Sequence, residues 1–467
     1  MVNEPYTPYC GLTYNRQNVA VRAETAPHIL VSAPTRTGKT RRILAPAALV
    51  HPGPEVLVSS KPDLAELVLT RRNIGITGVI DLRPEHTEVW PAGVRRMVTD
   101  PTRTIASAHE ALTVAETMLA TSGVGFSGAS GGNAVAAGGL WESQAAPPLA
   151  CLLYAASPQG NSLGMPWVLD AVQDFGIDET GGDQPIPELG RPSWLTAYGL
   201  CEQPKLAAPL YSVIAGMDSR LRDSIKITVS KAVTPWLRLG LSADEGAPYL
   251  SAVERVAVES FDVHMLDEPD ATLFVIAPNT GSVAGAAVAL IDSIVRHFRR
   301  KMANHQLTHP LLLELDEVCN SCPLPDLLTY VGESAGLGVN ILATVQASAH
   351  FDVVFGSKYA EALREMFPGT LIMYGAHERH LLEQASHWLG ETTRRTEAYE
   401  PTGGSRGQSS QFGQAIGWQE LLPQSREEAQ LLQRGTAGER VHIPDWTEFL
   451  ALFDQAVQRR IKKAQWG

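Results

Sequence analysis

Ala33-Pro34-Thr35-Arg36-Thr37-Gly38-Lys39-Thr40 is the stretch whose reading decides the fold. It follows the P-loop pattern, with Ala in place of the first Gly. In front of it Ile29 to Ser32 reads as a short apolar strand, with Pro27 as a breaker. Behind it Lys39 to Leu49 reads as a helix that Pro46 should bend or end early. Strand, turn and helix are the context the pattern needs. The loop's N–H groups can then cradle phosphate oxygens at a helix N-terminus, where the dipole favours negative charge. On this reading Ala33, Pro34, Thr35, Arg36, Thr37, Gly38, Lys39, Thr40 and Arg41 form the cradle. Lys39 bridges the β- and γ-phosphates and the Thr40 hydroxyl binds Mg²⁺, so ATP and Mg²⁺ are the expected cofactors.

Such a site also needs an acid at the end of a neighbouring buried strand. Leu311-Leu312-Leu313-Glu314-Leu315-Asp316-Glu317 supplies it. Asp316 is the expected metal-side carboxylate and Glu317 the base that polarises the attacking water. Glu314, inside the same run, must point to an edge or find a partner. Gln346 follows the apolar run Asn340 to Val345, where a polar side chain can sense the γ-phosphate or simply end a strand.

The alternation extends outward from the P-loop. Glu55 to Ser59 reads as a second strand, Leu64 to Arg72 as a helix and Gly78 to Asp81 as a third strand, which implies a largely parallel sheet. From Pro101 to Arg255 the segments Ala108 to Leu119, Leu140 to Ala155, Trp194 to Cys201, Ala207 to Met217 and Asp218 to Ala232 read as helices. Gly-rich loops at Thr121 to Gly139 and Gly176 to Pro192 interrupt them. Strands return at Leu273 to Ala277, Leu311 to Leu315, Asn340 to Val345 and Thr370 to Tyr374, with the helix Ala284 to Arg300 among them. A Gly/Ser/Gln stretch from Pro401 to Gly417 reads as a flexible connector before a short helical tail. The expected plan is therefore α/β: a P-loop nucleotide-binding domain in two parts, residues 1–100 (P-loop 33–40) and 256–400 (acidic motif 311–317). An all-α domain at 101–255 interrupts it, and 401–467 follow as connector and tail.

With 467 residues, 44% of them hydrophobic, the chain has material for more than one domain. No apolar run approaches the roughly 18 residues a membrane-spanning helix needs, so a cytoplasmic protein is the expectation. Five cysteines are too few and scattered for a disulfide scaffold, and Cys319-x-x-Cys322 lacks a second pair for zinc. The net charge of −12 argues against a surface coated in basic patches, while leaving room for a local basic one. Arg71-Arg72, Arg95-Arg96, Arg296 with Arg299-Arg300-Lys301, and Arg459-Arg460 with Lys462-Lys463 are candidates for DNA contact or ordinary solvated faces.

The long separation of Lys39 from Asp316, filled by helices, resembles the coupling ATPases of conjugation and type IV secretion, the TraG/TraD type, within the ring-shaped DNA pumps. Local matches run in order: His28 to Thr35 with Gly38-Lys39-Thr40 and Ile43 to Pro46; Lys61 with Asp63; Leu140-Trp141 with Ala145. Further on come Leu315-Asp316-Glu317 with Pro323 to Leu327, Val345 to Ala349, and Ala385-Ser386 with Leu389 to Thr393. The resemblance implies a RecA-like core with a mostly parallel central sheet. It implies ATP hydrolysis that moves DNA, single- or double-stranded, or a DNA–protein conjugate through a ring. A nucleotide-responsive docking module that hydrolyses little is the competing reading. Implied partners are secretion-channel and relaxosome-type proteins and further copies in a homo-hexamer, with the isolated chain able to be monomeric. The family's usual membrane helices are not found here: either they precede the chain as given, or this is a soluble member at the inner face of the membrane. Ser59 stands where the family's second-strand element has Asp, and Gly332 to Gly336 lacks the Arg usual after the acidic motif. Position alone leaves Arg364, Arg379, Arg394 and Arg395 as candidates for an arginine acting across an interface.

Overall fold

Runs such as His28–Ser32, Leu311–Leu315 and Val339–Val345 are buried along their whole length rather than at alternate residues. That is the mark of parallel strands covered on both faces. The computed structural model describes residues 6–71, 75–83, 90–122, 140–177, 191–246, 258–278, 283–376, 378–399, 406–434 and 438–466. Its strands, in chain order, are β1 (Leu12–Tyr14), β2 (Ala20–Arg22), β3 (His28–Ser32), β4 (Glu55–Ser59), β5 (Thr77–Asp81), β6 (Val94–Val98), β7 (Val258–Ser260) and β8 (Thr272–Ile276). They continue with β9 (Leu311–Leu315), β10 (Val339–Val345), β11 (Gly369–Met373), β12 (Glu391–Tyr399), β13 (Arg406–Gln414), β14 (Glu428–Gln433) and β15 (Glu439–His442).

Among the described residues one 13-stranded sheet runs β2-β1-β15-β14-β11-β3-β10-β9-β4-β8-β5-β6-β7. Every neighbouring pair from β11 to β7 is parallel. At the other edge β14, β15, β1 and β2 add on antiparallel. The P-loop strand β3 lies between β11 and β10, with Ser32 level with Ile372 and Val345. Parallel strands bring their carboxyl ends to one rim, where open α/β sheets bind their ligands.

Two apolar layers cover the sheet. On one face Ile43, Leu44 and Ala47 behind the P-loop pack with Ile29, Val31, Leu57, Leu312 and Leu342. The expected helix there is not uniform. Thr40–Leu44 is a π-helical turn, closed by Ala45 N–H on the Thr40 carbonyl, and α-helix follows over Ala45–Val50. Pro46 sits in the first turn of that helix, where its missing N–H costs little. The C-terminal helix Trp446–Trp466 lies on the same layer through Trp446 and Phe449. On the other face the helix Ala284–Ala303 packs against Leu313, Leu315, Ile341 and Ala343.

The crossover from β6 to its parallel neighbour β7 contains, among the described residues, helices and no strand: Ala108–Thr121, Leu140–Ala156, Gly164–Gln173, Trp194–Leu200, Pro204–Tyr211 and Ser219–Gly246. Leu140–Ala156 is central, with Leu149 through Leu153 fully buried. The helix Gly164–Gln173 has no counterpart in the sequence reading; its Pro166 stands in the first turn, where proline is well tolerated. The two expected Gly-rich loops fall largely outside the described residues.

The reading of the C-terminal part needs correction. The stretch Pro401 to Gly417, expected as a connector, forms strand β13 over Arg406–Gln414, paired residue by residue with β12. Instead of a short helical tail, β14 and β15 enter the main sheet before the long final helix. Polar strands without an apolar face carry no period-two signal, so composition alone suggests a linker.

Candidate functional site

The P-loop leaves β3 through a backbone bond from Ala33 N–H to the Val345 carbonyl, 3.0 Å long, on the next strand. Thr37 Oγ1 donates to the Pro34 carbonyl at 2.7 Å and closes the turn. Arg36 and Gly38 both take left-handed backbone, φ 62 and 91. Gly38 also suits the close approach of Arg42, whose Cδ would lie 3.2 Å from a Cβ there. Thr35 and Arg36 are exposed at the loop's tip, whereas Lys39 is buried. Arg41, read as part of the cradle, turns its guanidinium to Asp445 at 3.2 Å instead. Arg42 donates to the Ile443 carbonyl at 2.6 Å, so the C-terminal segment braces the helix behind the loop.

Asp316 and Glu317 stand at the end of β9, flanked by β10 and β4. Asp316 is buried, and isolated carboxylates pay several kcal/mol for that. Three features offset the cost. Thr344 Oγ1 donates to Oδ1 at 2.9 Å, Ser59 Oγ donates to Oδ2 at 3.2 Å, and Lys39 lies nearby. Burial still wins and pushes the Asp316 carboxyl above its ordinary range.

Glu317 sits in left-handed backbone, φ 50, with its N–H donated to Thr344 Oγ1 at 2.9 Å. A non-glycine residue held there costs of order 1–3 kcal/mol, and such strain clusters at functional sites. The turn aims the carboxylate at Lys39, whose Nζ is 3.4 Å from Oε1. Gln346 Nε2 donates to the same oxygen at 3.0 Å, and Asn320 Nδ2 reaches Oε2 at 3.5 Å. Burial pushes this carboxyl up, but Gln346 and Lys39 outweigh it and hold Glu317 below the ordinary value.

Lys39, Asp316, Glu317 and Gln346, four expected site residues, thus meet at one rim. Thr40 opens the π-helical turn beside them. Three residues the sequence reading did not assign complete the arrangement. Ser59 and Thr344 hold Asp316, and Glu378, buried after β11, accepts from Ser32 Oγ at 2.6 Å. Glu314 is not at an edge: it is fully buried in the sheet, level with Leu57 and Leu342. Cys319 and Cys322 are buried among apolar neighbours, and burial pushes the Cys319 thiol up to about 12.

Most of the described side chains in the basic clusters are engaged with acids. Arg71 meets Asp454, Arg95 meets Glu259, and Arg296, Arg299, Arg300 and Lys301 meet Asp292, Glu333, Glu110 and Asp267. Arg72 and the side chains of Arg459, Arg460, Lys462 and Lys463 lie outside the described residues. Of the four arginines considered for an interface, Arg364 is tied to Asp352 at 2.8 Å and to the Ser348 carbonyl at 3.0 Å. Arg379 is 70% exposed, pairs with Glu383 and lies 5.4 Å from the centre of the Trp418 ring. The side chains of Arg394 and Arg395 lie outside the described residues. Among the described residues no helix is long and apolar enough to cross a membrane.

Residues 310–426 match the family model described as the TraM recognition site of TraD and TraG. A search of curated proteins finds no match to the sequence. Among solved structures the chain is similar to the bacterial conjugative coupling protein TrwBdeltaN70 in its unbound monoclinic form, with 16% identity, 95% of each chain covered and a TM-score of 0.55. It is also similar to the plasmid coupling protein TrwB in complex with ADP and Mg²⁺, with 15% identity, 95% of this chain and 96% of that one covered, and a TM-score of 0.56. TrwB with the non-hydrolysable ATP analogue ADPNP gives 14% identity over the same shares and a TM-score of 0.54. These likenesses agree with a RecA-like P-loop core built on a mostly parallel sheet.

Proposed function

We propose that the chain is a coupling protein of the TraG/TraD type, as the match of residues 310–426 suggests, and that it hydrolyses ATP to move DNA, or a DNA–protein conjugate, through a ring of its own copies. The observation that carries the reading is the meeting of Lys39, Asp316, Glu317 and Gln346 at the carboxyl ends of β3, β9 and β10.

Residues 33–40 receive the triphosphate through loop N–H groups, and Lys39 neutralises its β- and γ-oxygens. The donor set fits a hard cation: the Thr40 hydroxyl and the Asp316 carboxylate would hold Mg²⁺, which when bound supplies charge stabilisation to the transferring phosphoryl group. Ser59 and Thr344 keep the Asp316 carboxylate oriented toward that position. Glu317, deprotonated through its donors from Gln346 and Lys39, takes a proton from the attacking water. Gln346 orients Glu317 and is placed to report on the γ-phosphate. The complexes of TrwB with ADP and Mg²⁺ and with an ATP analogue support these cofactors for this chain.

A relaxosome-type protein is the partner that the match to a TraM recognition site suggests for residues 310–426. The acid-paired arginines and the net charge of −12 favour, as a second reading, a nucleotide-responsive receptor that docks cargo and turns over little ATP. Steady-state ATP hydrolysis with and without single- and double-stranded DNA separates the two. DNA-stimulated turnover supports the motor; nucleotide binding with negligible turnover under every DNA condition supports the receptor.

A further inference from the structure

We propose that Glu378 is a positioning residue that links the nucleotide site to the helix Arg379–Trp388 and the β12–β13 hairpin beyond it. The proposal rests on the reading of the rim as an ATP site and names a route by which that site is regulated.

Glu378 is buried, and its carboxylate takes three short hydrogen bonds. Oε1 accepts from Ser32 Oγ at 2.6 Å and from Ser348 N–H at 2.7 Å, while Oε2 accepts from Ser348 Oγ at 2.6 Å. Both partners adjoin the chemistry. Ser32 is the last residue of β3, immediately before the P-loop. Ser348 lies two residues past Gln346, the donor to Glu317. One carboxylate therefore fixes the spacing between the strand that enters the P-loop and the turn that carries Gln346. Arg364 holds Ser348 from the other side through its carbonyl.

The same segment rides on the loop itself. Gly375 has φ 81, and a Cβ there would meet Pro34 Cγ at 3.7 Å. Beyond Glu378 the helix Arg379–Trp388 buries Leu382 and Ala385 against Ile372, Ala376 and Leu421. Ser386 Oγ near its end donates to the Ile416 carbonyl and to Gln414 Oε1, at the foot of the hairpin. A phosphate that draws the P-loop and Gln346 inward must move Ser32 and Ser348. The buried carboxylate passes that displacement to the helix, because giving up its donors in an apolar setting is costly.

The test compares wild type, Glu378→Ala and Glu378→Gln by ATP turnover and by amide hydrogen exchange with and without ATPγS and Mg²⁺. Gln keeps an acceptor for Ser32 and the Ser348 N–H, and its amide can donate to the Ser348 hydroxyl; Ala keeps nothing. In wild type and Glu378→Gln, ATPγS should slow exchange both in the loop after Lys39 and in Arg379–Trp388. In Glu378→Ala the loop should stay protected while the slowing in Arg379–Trp388 is lost. Its kcat should fall about 10- to 100-fold, as sub-ångström misplacement of catalytic groups does, with KM changed by less than about threefold. Adding Gln346→Ala should then cost little more, since both act through the placement of Gln346. If Glu378→Ala does not fold, Ser32→Ala and Ser348→Ala, each lacking one hydroxyl, are compared instead and should lose part of the same slowing. Equal slowing in Arg379–Trp388 with and without the carboxylate, or unchanged kcat, overturns the proposal. Absence of protection even in the wild-type P-loop instead overturns the nucleotide site itself.

Discussion

Lys39 Nζ and Glu317 Oε1 lie 3.4 Å apart, so the P-loop cation and the acid expected to activate water already share one contact. Both side chains are largely shielded from solvent, which strengthens their attraction relative to a surface pair. On the proposed mechanism, an arriving triphosphate competes for the lysine and frees the carboxylate toward water. Phosphate charge would then set the geometry of the base as well as its own binding.

Replacing the lysine should expose that dependence. Lys39→Ala is expected to abolish nucleotide affinity or turnover, by about 100-fold or more, while the protein stays folded. Glu317 keeps its Gln346 and Asn320 donors in the variant, so the melting temperature should move by only a few degrees. Nucleotide titration, hydrolysis rate and a thermal melt check it; unchanged hydrolysis by a folded Lys39→Ala protein would remove the P-loop assignment.

Asp316 makes a prediction of opposite sign for stability. Its carboxyl is raised in the fold chiefly by burial, so the folded state holds the proton more tightly than the unfolded chain does. That contribution is present at low pH and is lost as pH climbs from the ordinary carboxylate value through the raised one. Asp316→Asn removes the charge, keeps an acceptor for Thr344 and offers its amide to Ser59 Oγ. The variant should melt higher than wild type at neutral pH and show a flatter dependence on pH. It should also lose Mg²⁺-dependent turnover. Melts between pH 4 and 8, read beside hydrolysis, decide it, and a lower melting temperature at pH 7 would count against the burial argument.

On the proposed mechanism Glu317 carries the pH dependence of the rate. Gln346 and Lys39 hold its carboxyl below the ordinary value despite burial, so the base is ionised throughout the neutral range. The acidic limb of kcat/KM, which reports the nucleotide-free site, should therefore lie below the ordinary glutamate range. Gln346→Ala removes the first of the lowering donors, and the limb should move to higher pH. The measured quantity is the ratio of kcat/KM at pH 5 to kcat/KM at pH 8, expected to drop in the variant. A ratio equal to wild type would show that Glu317 is not the titrating base.

Much of the fold and the centre of the site were legible because they are written locally. The P-loop needs only a strand, a short turn and a helix in succession, and β9 announces itself as an unbroken apolar run ending in Asp316 and Glu317. Contacts between distant segments left weaker traces. Thr344, a hydroxyl inside a fully buried strand, did ask for a partner, and Asp316 is that partner. Ser59 was noticeable only as a departure from the family pattern. Glu378 sits in the polar run His377 to His380, and nothing local there distinguishes it from a surface acid. The edge strands were illegible for another reason. β6 buries only Met97 of its five residues and carries Arg95 and Arg96, while β12 and β13 pair mainly through polar residues and lack a hydrophobic period.

Assembly supplies the last prediction. Phosphoryl transfer in P-loop enzymes gains roughly 10³ to 10⁵ in rate from a cationic side chain supplied at the γ-phosphate, often by a neighbour. Arg364 is committed within its own subunit to Asp352 and the Ser348 carbonyl, so its loss should act in cis. Arg379 is different: it is exposed, follows directly on Glu378, and its partner Glu383 is itself exposed, which makes their pairing weak. Arg379→Ala should therefore lose turnover yet retain nucleotide binding, and so should Glu317→Gln for lack of a base. Mixed in equal amounts, the two inactive proteins should recover hydrolysis. An Arg379→Ala subunit keeps its own acids and can borrow an arginine from a Glu317→Gln neighbour. With random assembly into rings, about a quarter of sites are so composed, and that fraction bounds the recovery. Arg364→Ala mixed with Glu317→Gln should recover nothing, which controls for general stabilisation by mixing. Wild-type turnover per subunit should also rise with protein concentration as rings form. No recovery with Arg379→Ala, Arg394→Ala or Arg395→Ala, together with turnover independent of dilution, would mean that each subunit completes its own site.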